Sequence, residues 1–133
     1  MTKLPIDDIL PELCASLEHT PNAVIQAAPG AGKTTITLGL LRALNDAGHP
    51  TRSAKSGPED IDPQVHAAAS GRPCVNLDAW AMTPDRIRHL ANGPDDLVIE
   101  GAMGLFDGAP PHGKGATAAL AKLLDFPVVL IID

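Results

Sequence analysis

The sequence predicts an α/β fold, a mostly parallel sheet flanked by helices, and three observations predict it. Strand-like and helix-like stretches alternate along the chain, the pattern that crossover helices give a parallel sheet. Leu97-Val98-Ile99 and Val128–Ile132 are continuous apolar runs, as expected of strands covered on both faces. Ala27-Ala28-Pro29-Gly30-Ala31-Gly32-Lys33-Thr34 stands between a short apolar run and a long apolar helical pattern. That is the strand–loop–helix context of a phosphate-binding glycine loop, with Ala27 where the first glycine usually stands.

Taken in order, residues 1–20 predict a short amphipathic helix, with Pro11 in its first turn and Leu10, Leu13 and Leu17 on one face. Residues 23–27 predict the first strand. Thr34 to Ala47 predicts a helix: Ile36, Leu40, Leu41 and Leu44 form an apolar stripe, Leu38 widens it, and Gly48 stops it. Arg52–Ser56 is the second strand. Asp62-Pro63 opens a short helix, Asp62 as N-cap and Pro63 at the first position, and Gly71 ends it. Val75-Asn76-Leu77 is a further strand. Thr83-Pro84 opens another helix in the same manner, and Gly93 closes it. Leu97–Ile99 is a strand, Ala109 to Gly115 a Pro/Gly-rich loop expected to be mobile, and Thr117 to Leu124 a helix. Pro127 precedes the last strand. There is no internal repeat. The chain stops at Asp133, at a strand end, so the expectation is a sheet incomplete at its C-terminus, with one edge open.

At 133 residues the chain is expected to be one domain, an N-terminal helical segment (1–20) and an α/β core (22–133). Apolar residues make up 44% but aromatics only 2%, so Ala, Val, Leu and Ile must build the core, with Trp80, Phe106 and Phe126 as the only large rings. A net charge of −6 argues against a nucleic-acid or anionic-membrane surface. No apolar run approaches the ~20 residues of a membrane span, and the N-terminus is unlike a signal peptide, so a cytoplasmic protein is expected. Cys14 and Cys74 lack metal-ligand spacing and read as ordinary small, buried residues.

The chemistry converges on the glycine loop. Gly30 and Gly32 let the backbone curl so that N–H groups point at one phosphate, and the following helix N-terminus adds partial positive charge. Lys33 would reach the β- and γ-phosphates, and the Thr34 hydroxyl would ligate Mg²⁺. Pro29, Gly30, Ala31, Gly32, Lys33, Thr34 and Thr35 are thus the expected nucleotide-binding set, with ATP and Mg²⁺ as cofactors. In an open α/β sheet, ligands sit at the carboxyl ends of the strands. Glu100, Glu59, Asp62 and Asp133 fall at that edge. Glu100 is the foremost metal ligand; Asp62 serves as a helix N-cap, a metal ligand, or both; Asp133 is structural or more distant. Gly101 to Gly108 holds three glycines, which suits either a closely approached backbone or a turn-rich connector.

From Thr34 to Asp133 the chain resembles the ATP-binding half of cobyrinate (or hydrogenobyrinate) a,c-diamide synthase. The stretches that carry the likeness are GKTTITLGLLRAL, KSGPEDIDPQVHAAASGRPCVNLDAWAM, VIEGAMGLFDG, GKGATAALAKLL and PVVLIID. The family belongs with dethiobiotin synthetase-like P-loop proteins. The resemblance implies a ligase of cobalamin synthesis: corrinoid a- and c-side-chain carboxylates are activated by ATP as acyl phosphates, then amidated with ammonia from glutamine. It implies that Thr34, Asp62 and Glu100 match the family's metal and catalytic acids, that Lys33 is catalytic, and that Glu59 matches another acid, where the family usually has Asp. It implies a corrinoid small-molecule substrate and no nucleic acid. No Cys/His/Glu set for glutamine hydrolysis is present, so no glutaminase activity is expected of this chain; the expected partner is a second copy of the chain (a homodimer) or a separate glutaminase chain. Three departures stand out: Glu for Asp at Glu59, Ala116 where the family usually has Ser, and a Pro29–Lys33 loop two residues shorter.

Residues 1 to about 35, notably LPIDDILPEL and AVIQAAPGAGKTT, resemble the start of a bacterial DEAH-type ATP-dependent helicase. The two resemblances meet inside the glycine loop, which implies a hybrid joined where two families share a nucleotide loop. The alternatives to the ligase are therefore a truncated or hybrid ATP-binding protein without amidation activity, a helicase-related fragment, and a regulatory P-loop module. The helicase reading predicts a DEAH box downstream, and the sequence shows none.

Overall fold

The computed structural model describes residues 22–27 and 32–131, together with Pro11 and Ala15. The remainder of the 1–20 segment, Pro29, Gly30, Ala31, Ile132 and Asp133 lie outside the described residues. Strands β1 (Asn22–Ala27), β2 (Thr51–Ser56), β3 (Cys74–Leu77), β4 (Asp96–Glu100) and β5 (Val128–Ile131) pair in parallel throughout, in the order β3-β2-β4-β1-β5. Helices α1 (Lys33–Asp46), α2 (Asp62–Ser70), α3 (Pro84–Ala91) and α4 (Thr117–Leu124) supply the crossovers. This is the predicted α/β architecture, consistent with a P-loop NTPase-like fold.

Alternation along the strands sends side chains to two apolar layers. Ala23 and Ile25 of β1, Val98 of β4 and Ile131 of β5 meet Leu40, Leu41 and Leu44 of α1. On the other face Val24, Ala54, Leu77, Leu97 and Ile99 meet Ile87 and Ala91 of α3 and Leu120 and Ala121 of α4. Fully burying one such Leu or Ile contributes about 1.5–3 kcal/mol, so these layers hold the sheet. Aliphatic side chains fill them almost alone. Phe126 packs at the margin of the second layer. Trp80 and Phe106 do not join the core, contrary to the composition argument: they lie on loops beyond strand ends, 60% and 78% exposed.

The helix boundaries follow local signals, with one exception. α1 ends at Gly48 in a Schellman arrangement: Gly48 N–H donates to Asn45 O (3.0 Å) and His49 N–H to Leu44 O (2.9 Å). Thr83 caps α3, its hydroxyl accepting from Arg86 N–H at 3.3 Å. Asp62 is the exception. The N-cap position of α2 belongs to Ile61, without a side-chain cap, and Asp62 is the first helical residue. Its carboxylate is drawn to Lys55. The Pro/Gly-rich stretch expected to be mobile is closed by two backbone hydrogen bonds between Ala109 and Lys114, 2.8 and 3.2 Å. Among the described residues no helix is long and apolar enough to cross a membrane.

β1 and β4 are neighbours whose connections leave in opposite directions, α1 toward β2 and α4 toward β5. That makes their carboxyl ends the switch point of the sheet, where a crevice opens and ligands bind. The glycine loop follows β1 there, and Glu100 ends β4 there.

Candidate functional site

Gly32 enters α1 in the left-handed conformation (φ 72°), which a side chain would strain, and its carbonyl accepts the Ile36 N–H at 3.0 Å. No acid occupies the first turn of α1, so the positive end of the helix dipole is uncompensated by the helix itself. Lys33 and Thr34 open the helix, and Thr35 is exposed. The Thr34 hydroxyl donates to Glu100 Oε1 at 2.7 Å. Two residues far apart in sequence therefore meet because β1 and β4 pair in register, Ile25 beside Glu100.

Glu100 has three partners among the described residues and no solvent exposure. Register places Lys55 of β2 directly beside it. Lys55 Nζ donates to Glu100 Oε1 at 2.9 Å and to Asp62 Oδ2 at 2.6 Å. His66, one helical turn after Asp62 on the same face of α2, brings Nε2 to 2.6 Å from Glu100 Oε2. Cys74 Sγ lies 3.7 Å from the other ring nitrogen. Cys74 is half-buried, less covered than the ordinary small, buried residue expected. Cys14 lies outside the described residues.

The electrostatics follow from this packing. Burial opposes ionisation of Glu100, but hydrogen bonds from His66, Lys55 and Thr34 outweigh it and hold its pKa at about 2. Burial likewise opposes charging of His66, yet its hydrogen bonds to Cys74 and Glu100 raise its pKa to about 9. Lys55 resists desolvation through Asp62 and Glu100 and is held above its ordinary value. Lys33 is pushed down by burial and by the Lys55 charge, against the opposing pull of Glu100, Asp62 and Glu59. An anion beside Lys33 would oppose both effects and favour the charged ammonium.

Thr34, Glu100 and Asp62 are thus brought into one cluster, Asp62 through Lys55. Glu59 is not joined to it by its carboxylate. Its side chain is exposed, and its backbone carbonyl accepts from Asn76 Nδ2 at 2.7 Å. Lys55, His66 and Asn76 are the residues that sequence reasoning passes over. A lysine inside a strand of small residues, and a histidine four positions after Asp62, are the available signals. Among the described residues no three His, Cys, Asp or Glu side chains are gathered as a metal cage. A Mg²⁺ ion would be held by the Thr34 hydroxyl and Glu100 Oε1, with phosphate oxygens and water completing its shell, the usual habit of a small, strongly hydrated ion.

No family model matches the chain. Curated relatives do. Hydrogenobyrinate a,c-diamide synthase of Brucella anthropi is 56% identical over 111 residues, 80% of this chain and 25% of the relative. The enzymes of the same name from Agrobacterium fabrum and Rhodobacter capsulatus are 48% and 49% identical over 86% and 88% of this chain. The largest of these shares takes in β1 and the glycine loop as well as the segments after them. The chain spans about a quarter of the length of these relatives.

Proposed function

We propose that this chain, homologous over most of its length to one quarter of the hydrogenobyrinate a,c-diamide synthases, is the ATP-binding module of such a ligase. It binds Mg·ATP on the glycine loop and activates the a- and c-side-chain carboxylates of hydrogenobyrinate. ATP supplies the γ-phosphoryl group, and Mg²⁺ spreads its charge. A carboxylate oxygen of the substrate attacks γ-phosphorus and ADP departs, leaving an acyl phosphate. Ammonia attacks the acyl carbon, and phosphate departs with the electron pair. Glutamine hydrolysis belongs to polypeptide other than these 133 residues.

The observation that supports this reading best is the Thr34–Glu100–Lys55–Asp62 chain at the switch point. Thr34 and Glu100 converge on one point beside the helix N-terminus. Lys33 and Lys55 are near enough for their charges to act on each other, and two cations at this edge would give a migrating phosphoryl group a fixed field that needs no reorganisation during transfer. Asp62 and His66 fix Lys55 and Glu100, so the donors are positioned before substrate arrives.

The test is direct. Purified chain is mixed with Mg·ATP, hydrogenobyrinate and hydroxylamine, and ADP and hydroxamate are measured; ammonium then replaces hydroxylamine and amide is measured. Hydroxamate formed only with both substrates supports the reading. ATP binding without hydroxamate or amide would leave a nucleotide-binding protein with no ligase role.

A further inference from the structure

We propose that Trp80 and Phe106 form an aromatic shelf that holds the conjugated macrocycle of the substrate beside the phosphoryl-transfer cluster. The inference rests on the corrinoid reading above. The chain has one Trp, two Phe and no Tyr. Two of these three rings stand outside a core that lacks large rings, 60% and 78% exposed. Both follow strand ends at the carboxyl edge of the sheet, Trp80 after β3 and Phe106 after β4, the strand that ends in Glu100. Ile61 and Met103, also exposed, lie on the loops after β2 and β4. Apolar surface left in water forgoes about 25 cal/mol per Å², so apolar side chains exposed on successive loops of a ligand edge favour an apolar occupant there.

The rings are held out by built turns. Asp78 Oδ1 accepts the N–H groups of Trp80 (2.9 Å) and Ala81 (3.2 Å), and Asp78 O accepts Met82 N–H at 2.8 Å. Gly115, at φ 90°, lies against Trp80; a Cβ there would stand 3.3 Å from the Trp80 Cβ. Around Phe106, Asp107 Oδ2 accepts Gly104 N–H at 2.9 Å, Asp107 N–H donates to Gly104 O at 3.2 Å, and Leu105 O accepts Ala118 N–H at 2.9 Å. A cleft of about 450 Å³ opens beside the turn that carries Trp80, lined by its neighbours Ala79 and Ala81 and by Met82, Ile87 and Leu123, with Lys114 as its one charged residue among the described residues. Two exposed rings on loops at this edge, and an apolar recess with a cation beside the turn of one of them, suit one occupant: a flat conjugated ring with an apolar rim and peripheral carboxylates. Ring faces stack on such a ligand, and Lys114 pairs with a carboxylate.

Trp80 is the only tryptophan, so its emission reports on this surface alone. The 133-residue chain is titrated with hydrogenobyrinate, following Trp80 emission and, by equilibrium dialysis, the bound ligand. Saturable quenching is expected. Phe106→Ala and Trp80→Leu should each raise the dissociation constant about tenfold while leaving the Mg·ATP melting shift in place. Phe106 lies on an exposed turn, so that variant keeps the test valid if Trp80→Leu unfolds, as circular dichroism would show. If the ligand binds but both folded variants bind it like the parent, the shelf is refuted and the corrinoid reading survives. If the parent retains no hydrogenobyrinate in dialysis, the corrinoid reading falls, and the shelf with it. Variants that alter the sedimentation mass of the chain but not ligand affinity would assign the rings to self-association and also overturn the proposal.

Discussion

Glu100 Oε2 and His66 Nε2 lie 2.6 Å apart, with both side chains wholly withdrawn from solvent. The pairing gives the carboxylate a direction. His66 occupies one oxygen, and the other is left for Thr34, in the first turn of α1, and for Lys55. Removing His66 leaves half of a buried carboxylate without a partner. His66→Ala should therefore cost about 3–5 kcal/mol, a large fraction of the stability of an ordinary domain. His66→Gln, which keeps a donor, should recover part of it. Urea denaturation of the three proteins measures this; a His66→Ala variant within about 1 kcal/mol of the parent, the net worth of one ordinary hydrogen bond, would contradict the burial argument.

The same pair sets a pH window. Glu100 titrates at about 2 in the fold against 4.5 ordinarily, so its contribution is present above 4.5 and is lost as pH falls toward 2. His66 titrates at about 9 against 6.5, so its contribution is complete below 6.5 and is lost as pH rises through 9. The melting temperature should be highest between these limits and decline above neutrality. In His66→Gln the alkaline decline should flatten. An alkaline slope identical in parent and variant would show that another group titrates there.

Most of the scaffold is legible in the sequence because its signals are local. Thr83-Pro84, Gly48 and the apolar runs of β4 and β5 act within a few residues of themselves, and the structure places the elements there. The site is legible only in part. Thr34, Glu100 and Asp62 announce themselves through the glycine loop and strand-end acids. Lys55 and His66 do not, because their meaning depends on the register that sets Lys55 beside Glu100. Asp62 fails as an N-cap for the same reason: a lysine seven positions upstream, on another element, competes for its carboxylate and wins. The two exposed rings escape the core expected of them because composition counts apolar groups without saying which ones the packing leaves out.

Lys33 and Thr34 should separate in their effects. If Lys33 is the cation that meets the phosphates, as proposed, Lys33→Ala should abolish stabilisation by Mg·ATP. Thr34→Val removes one hydrogen bond from Glu100, which keeps Lys55 and His66, so the free chain should lose only about 1 kcal/mol. Its Mg·ATP shift should nevertheless shrink, and chelating the magnesium should remove what is left. Melting curves with and without nucleotide and chelator decide it. A full shift in Lys33→Ala would place the nucleotide elsewhere.

Asn76 pins the loop that carries Glu59. Its amide holds the Glu59 carbonyl at 2.7 Å, and Gly57 N–H is held by Leu77 O at 3.1 Å, so both anchors come from β3. Asn76→Ala should cost about 1 kcal/mol, since one anchor remains. Amide exchange at Glu59 to Ile61 should quicken more than exchange in β2, because the loop opens locally and the sheet does not. Equal acceleration in both would mean that Asn76 supports the sheet as a whole.

Gly101 and Gly108 are both glycines of close approach, but what approaches them differs, and so should the cost of a methyl group. A Cβ on Gly101 would collide with the end of the Gln26 side chain and stand 2.9 Å from Thr117 Cγ2. Gln26 can yield, although its amide nitrogen donates to Met103 O and would have to be re-aimed. A Cβ on Gly108 would collide with the backbone of Gly113, which sits at φ 65° inside the hairpin closed by Ala109 and Lys114. Backbone has no rotamer to escape into, so the hairpin must move, and with it the contact of Gly115 with Trp80. Overpacking of this kind costs about 1–3 kcal/mol. Gly101→Ala should fall at the lower end and be partly relieved by Gln26→Ala, whereas Gly108→Ala should fall at the upper end and alter Trp80 emission. Urea midpoints for the single and double variants read the first effect, and fluorescence reads the second. A Gly101→Ala/Gln26→Ala protein no more stable than Gly101→Ala would remove the steric account, because then something other than the Gln26 side chain forbids the methyl.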